Sequence, residues 1–131
     1  MQWDASANLG FSEGKAEDLY LPVDPAANAP TVESQEADEY SMLHHVRRLI
    51  ALRRSHEALG NYSSFAIHHV GKRLFAYKRG DYLLAVNPGL MEEGCPLDGK
   101  YETVFTMGCA VVENDKLTLG TQSFVVLKPV V

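Results

Sequence analysis

From about residue 61 onward the apolar residues follow a period of two in short bursts, and this constrains the fold more than anything else in the chain. Phe65, Ile67 and His69 alternate with Ser64, Ala66 and His68. The runs Leu74–Lys78 and Tyr82–Asn87 follow, separated by Arg79-Gly80-Asp81, where the Gly-Asp pair suits a tight hairpin turn. Asn87-Pro88-Gly89 is a second turn signal. Further strands are expected at Tyr101–Thr106, Cys109–Val112, Lys116–Leu119 and Ser123–Lys128. About seven short strands with turns between them predict an antiparallel, mainly β sandwich over residues 60–131.

The period changes just upstream. Met42, Leu43, Val46, Leu49 and Ile50 recur at three- and four-residue steps, which predicts a helix over 41–55 with one apolar stripe. Ser41 or Asp38 can cap its start, because their side-chain oxygens accept the unpaired N–H groups of a first turn. Arg47, Arg48, Arg53 and Arg54 crowd the later turns, where positive charge suits the helix dipole. Gly60 is the expected stop.

Residues 1–40 hold neither period. Gly10, Gly14, Pro22, Pro25 and Pro30 interrupt them. Yet Trp3, Phe11, Leu19, Tyr20, Leu21 and Val23 are too many large apolar groups for a disordered linker, so an ordered loop that packs on something is expected. The domain reading is therefore 1–59 as loop plus helix and 60–131 as an all-β domain.

Chemistry is sparse. The net charge of −5 disfavours a nucleic-acid partner, which needs clustered Lys and Arg. No window is long and apolar enough to span a bilayer, and no signal peptide is apparent, so neither a membrane nor secretion is expected. Cys95 and Cys109 are the only cysteines. They read as free thiols in a reducing cytoplasm, with one bridge across a β-loop as the alternative. His44-His45 on a helix point about 100° apart, and His68-His69 in a strand face opposite sides, so neither pair converges on a metal. No cofactor fingerprint or nucleophile elbow occurs, and Arg79-Gly80-Asp81 is read as a turn.

Glycoside hydrolysis needs two carboxylates flanking the scissile bond. Asp4, Glu13, Glu17, Asp18 and Asp24 share the irregular zone, but nothing in their spacing pairs them. Glu33, Glu36, Asp38 and Glu39 read as a solvated acidic run before the helix. Tyr62, Phe65, Phe75, Tyr77, Tyr82 and Tyr101 offer a sugar-stacking surface in principle, but their alternation makes most of them core or cross-strand residues.

One resemblance organises these features. Met1-Gln2-Trp3-Asp4, then Asn8 and Gly10-Phe11-Ser12, resembles a stretch that follows the last barrel strand in the α-glucosidase branch of the α-amylase superfamily. Leu21-Pro22-Val23-Asp24-Pro25, Val32-Glu33-Ser34-Gln35 and Arg47-Arg48-Leu49-Ile50-Ala51-Leu52-Arg53 are similar to later motifs of that branch, the last belonging to the eighth barrel helix. Tyr20 stands where the branch usually has Trp. The resemblance implies a C-terminal piece of a glycoside hydrolase: the end of a (β/α)8 barrel followed by the Greek-key sandwich called domain C. It implies an inactive piece, because no position here matches the family's two Asp and one Glu. Gln2 and Trp3 match a loop on the substrate side of the barrel and are the only site residues it offers. The implied partner is the catalytic barrel, with oligosaccharide reached only through it. Self-association through Met42, Val46, Leu49 and Ile50 is the competing expectation, and an independent carbohydrate-binding β-module is a third.

Overall fold

The computed structural model describes residues 1–130. The chain divides into two compact units, Met1–Leu52 and Arg53–Val131.

The first unit is irregular chain with short helical pieces. Two 3-10 turns, Ala7–Gly10 and Ala16–Asp18, precede helix α1 (Val32–Ala37) and the start of helix α2 (Met42–Ser55). Helix α1 lies inside the zone expected to lack a period, because six residues are too few for one to register. A capping box starts it. Thr31 Oγ1 accepts from the Ser34 N–H at 3.1 Å and Ser34 Oγ accepts from the Thr31 N–H at 3.0 Å.

Helix α2 begins at the expected place, and Ser41 rather than Asp38 caps it. Ser41 Oγ accepts from the His44 N–H at 3.4 Å, while Asp38 Oδ1 is occupied by the Tyr40 N–H at 2.9 Å. Gln35 adds a second cap from α1, its Oε1 accepting from the Leu43 N–H at 3.1 Å. The acidic run is more than a solvated approach. Glu36 pairs with Arg47 at 2.9 Å, and the Glu36 and Glu39 carbonyls accept from His44 Nε2 and Arg48. Met42, Val46 and Ile50 remain 65%, 44% and 49% exposed. None of the described helices is long and apolar enough to cross a membrane.

The second unit is the antiparallel sandwich. A third 3-10 turn, Glu57–Leu59, leads into eight strands: β1 (Phe65–Val70), β2 (Phe75–Arg79), β3 (Tyr82–Asn87), β4 (Glu93–Pro96), β5 (Tyr101–Met107), β6 (Ala110–Glu113), β7 (Lys116–Leu119) and β8 (Ser123–Pro129). One sheet has the order β1-β2-β3-β8-β5 and the other β4-β7-β6. The chain passes between sheets after β3, β4, β5 and β7, so its sequential neighbours are often not its spatial ones. Seven strands were expected; β4 is the addition. Gly60 closes the 3-10 turn rather than α2, with an ordinary φ of −73°.

Period-two alternation places the core. Ala76, Leu83, Ala85, Val125 and Leu127 of the large sheet meet Cys95, Leu117 and Leu119 of the small one, and all are fully buried. β1 and β5 are the edges of the large sheet, and the register steps on both. On β1 it passes from Ile67↔Tyr77 to His69↔Ala76, and on β5 from Thr103↔Leu127 to Phe105↔Val126. His68 and Val104 are thus extra residues without a cross-strand partner, which marks a β-bulge at each edge.

Candidate functional site

The residues singled out by resemblance, Gln2 and Trp3, lie at the centre of the first unit's hydrogen bonding. The Gln2 carbonyl accepts from the Val32 N–H at 3.0 Å, and the Trp3 carbonyl from the Glu33 N–H at 2.9 Å. The Gln2 side chain uses both ends of its amide. Nε2 donates to the Pro30 carbonyl at 3.1 Å, and Oε1 accepts from the Asp24 N–H at 3.2 Å. One side chain thereby ties the loop around residues 24–30 to the N-terminal segment, which a neutral amide with a donor and an acceptor can do and a carboxylate cannot.

Trp3 opens a tight reversal. Its N–H and that of Asp4 both donate to the Leu9 carbonyl, at 2.8 and 3.4 Å. To bring that carbonyl round, Asn8, Leu9 and Gly10 all take positive φ, at 52°, 54° and 66°. Asn tolerates this region and Gly favours it, but Leu does so at a cost. Asn8 repays part of that cost, since its Nδ2 donates to the Ser12 and Gly14 carbonyls at 2.9 and 2.7 Å. A Cβ at Gly10 would stand 2.8 Å from the Asp4 carboxylate, which would have to swing aside, and the φ of 66° adds strain for any other residue. Trp3 itself is 49% exposed.

Two carboxylates of this zone, Asp4 and Asp24, serve turns. Asp4 Oδ1 accepts from both the Ser6 hydroxyl and the Ser6 N–H, and those bonds, the hydroxyl first, hold its carboxyl below the usual range. Asp24 Oδ1 accepts from the Ala26 N–H at 2.9 Å. Glu17 faces Lys15 at 3.7 Å on the surface. None of these arrangements aims an acid and a base at a common point.

The apolar residues of the loop do not all pack. Phe11, Tyr20 and Leu21 are 57%, 98% and 70% exposed. With Met1, Gln2, Pro22 and Val23 they line a cleft of about 310 Å³. Gln2 also borders a second cleft of about 480 Å³, with Thr31, Gln35, Met42 and Val46 on its walls. Sequence reasoning took these aromatics as packing groups. The signal for exposure was their isolation between Gly and Pro residues, where no period could place them on an inner face.

In the second unit five of the six suspected aromatics have partners. Phe65 and Phe75 each lie against Tyr77, with centroids 5.4 and 5.5 Å apart, and Tyr82 meets His56 edge-on at 5.3 Å. Tyr101 donates to Asp98 Oδ1 at 2.8 Å, and Lys78 Nζ binds Asp98 Oδ2 at 2.5 Å. The Lys78 ammonium and then the Tyr101 hydroxyl hold the Asp98 carboxyl below its ordinary range. Tyr62 is fully exposed. His68 Nε2 donates to the Pro96 carbonyl at 2.8 Å. Among the described residues no group of three His, Cys, Asp or Glu is placed to hold a metal ion. Cys95 is buried and Cys109 exposed, and both are free thiols, so no bridge crosses the β-loop.

Residues 1–61 match the family model described as the alpha amylase catalytic domain. The glucan 1,6-alpha-glucosidase of Streptococcus pneumoniae is 28% identical over 117 residues, covering 86% of this chain and 21% of that protein. An oligo-1,6-glucosidase of Halalkalibacterium halodurans is 35% identical over 89 residues, covering 66% of this chain and 15% of that protein. Among solved structures, the trehalulose synthase MutB from Pseudomonas mesoacidophila superposes with a TM-score of 0.82 at 28% identity, over 97% of this chain and 24% of that one. An inactive double mutant of MutB in complex with isomaltulose gives a TM-score of 0.83 at 27% identity, with the same coverage. The chain spans less than a quarter of the length of each of these relatives.

Proposed function

We propose that the chain, whose residues 1–61 match a catalytic-domain model of the α-amylase superfamily of glycoside hydrolases, forms the closing part of an α-glucosidase-type enzyme. In this reading residues 1–41 are the loop after the last barrel strand, α2 is the last barrel helix, and the sandwich is domain C. The observation that carries it is a coincidence of boundaries. The match to a catalytic-domain model ends at residue 61, and the first strand of the sandwich begins at Phe65.

Loops that follow barrel strands build the substrate face of such barrels. Gln2 and Trp3 would then act as scaffolding at that face: Gln2 fixes the loop through its two-ended amide, and Trp3 starts the reversal stabilised by Leu9. Hydrolysis of an α-glucosidic bond needs a nucleophile and an acid/base, whereas Asp4 and Asp24 are spent on turns and Glu17 on a surface ion pair. The substrate is an α-linked glucoside handled by the whole enzyme.

The direct test is an assay with an aryl α-glucoside. The chain alone is expected to release no aryl alcohol above a matched purification blank. Turnover that co-purifies with the chain and disappears on changing one of its own carboxylates would overturn the reading.

A second reading has one observation in its favour. Met42, Val46 and Ile50 present a large part of their surface to water, and an apolar stripe of this kind suits a second copy of the chain as well as a barrel.

A further inference from the structure

We propose that the cleft where α2 ends and the chain turns toward β1 binds a phosphate dianion, free or as the terminal group of a small monoester. The cleft lies wholly within the second unit and does not depend on the α-glucosidase reading.

Charge carries the argument. The chain has 17 Asp and Glu residues against 12 Lys and Arg, so carboxylates are not scarce. Yet the two arginines on this lining, Arg53 and Arg54, have no carboxylate partner among the described residues. Arg53 donates to the neutral amide oxygen of Asn61, which positions the guanidinium without cancelling its charge. Arg54 makes no side-chain hydrogen bond or ion pair among the described residues. A third guanidinium adjoins the cleft. Arg79 donates to the carbonyl of Gly60, a lining residue, and its buried Nε has no partner among the described residues. A guanidinium is planar and offers N–H groups in pairs, the geometry that phosphate oxygens accept. Three such groups around one short loop create a positive field that a bound dianion neutralises.

Two features oppose an anion and so narrow its class. The terminal carbonyls of α2, which ends at Ser55, carry partial negative charge, and Glu57 is the one carboxylate on the lining. A monoanion such as acetate gains too little against them, whereas a dianion accepting several charged N–H groups gains enough. The loop also holds its form before a ligand arrives. The Glu57 carbonyl accepts from the Gly60 N–H and from Ser63 Oγ, at 2.8 Å each, and Leu59 between them is buried. The cleft volume of about 570 Å³ falls within the range of small-molecule sites.

The test titrates the full chain with inorganic phosphate by calorimetry at about pH 8, where phosphate is the dianion, with sodium chloride at matched ionic strength as the control. Saturable binding is expected for phosphate and none for chloride. Arg54→Gln is expected to weaken it about tenfold, the loss of one charge-assisted contact. Glu57→Gln is expected to tighten it about threefold by removing the opposing charge. Arg54 and Glu57 are both exposed, so both variants are expected to keep the wild-type melting curve, which separates lost binding from lost fold. Phenyl phosphate distinguishes the two sources: tighter binding than inorganic phosphate assigns the site to a monoester, and equal or weaker binding assigns it to the free ion. Phosphate that behaves like chloride, or an Arg54→Gln variant that binds like wild type, overturns the site. Neither result touches the α-glucosidase reading, which fails instead on turnover by the chain alone.

Discussion

The carboxylate of Glu93 on β4 accepts the backbone N–H of Leu74, at 3.1 Å, at the entry to β2 on the other sheet. The same carboxylate takes the N–H groups of Lys72 and Arg73 at 2.8 and 2.6 Å, so one side chain closes the whole β1–β2 turn. Desolvation pushes the Glu93 carboxyl up, but the three backbone N–H bonds and the Arg73 charge outweigh it and leave the group below its ordinary range. A depressed carboxyl contributes stability that is fully present above its unfolded pKa and lost as pH falls through the folded one. Glu93→Gln is therefore expected to lower the urea midpoint at neutral pH and to flatten the acid limb of the stability profile. An acid limb identical to wild type would show that the turn does not depend on the charge.

Asn87 is the one fully buried amide at the end of β3. Its Nδ2 donates to the Met91 and Gly120 carbonyls at 2.8 Å each, and its Oδ1 accepts from the Gly89 N–H at 3.0 Å. Asn87→Ala leaves these backbone groups without partners inside the fold. The expected cost is about 3 kcal/mol, read from denaturant unfolding. A loss below about 1 kcal/mol would mean that water replaces the amide.

Gly108 has φ of +75°, and a Cβ there would approach the Ser123 Cα and Cβ to 3.1 Å. Ser123 is buried, with its Oγ accepting from the Cys109 N–H at 2.9 Å, so the neighbour has little room to yield. Gly108→Ala is expected to destabilise the sandwich by about 1–3 kcal/mol, from strain and crowding together. Thermal unfolding followed by circular dichroism checks it, and an unchanged midpoint would contradict the crowding argument.

The helix stripe makes a separate prediction. Val46 is 44% exposed on α2, so Val46→Asp removes apolar surface without breaking an internal contact of the sandwich. If two copies meet through this stripe, light scattering should show the variant with a lower mean mass than wild type at equal concentration, while β-sheet melting stays the same. Equal masses would remove the stripe from any account of self-association.

How much of this was legible in the sequence depended on the length and regularity of each pattern. α2 was readable because fourteen residues keep one period, and β3 because a near-continuous apolar run lies between two turn signals. β4 was not, since Glu93-Gly94-Cys95-Pro96 carries one buried apolar residue, one glycine and one proline. Pro96 is tolerated because β4 is an edge strand of the small sheet. Helix α1 escaped period analysis, although Thr31 and Ser34 spelled its capping box. At the candidate site, Gln2 and Trp3 were visible only through resemblance. The two-ended hold of Gln2 on Asp24 and Pro30 spans 22 and 28 residues, a relationship no local pattern encodes. Tyr20 was visible as an aromatic, but not as an exposed one, because exposure in irregular chain is decided by tertiary packing.

The bulges at His68 and Val104 fall on the two strands where the large sheet ends. A sheet grows by recruiting backbone from another molecule at a flat edge, and an extra residue twists that edge out of register. β1 needs this most, for Phe65, Ile67 and Val70 are exposed and the strand carries no Lys, Arg, Asp or Glu to repel a partner. The kink at His68 thus works as a terminator: it keeps a sticky, uncharged strand from serving as the template for a fibre.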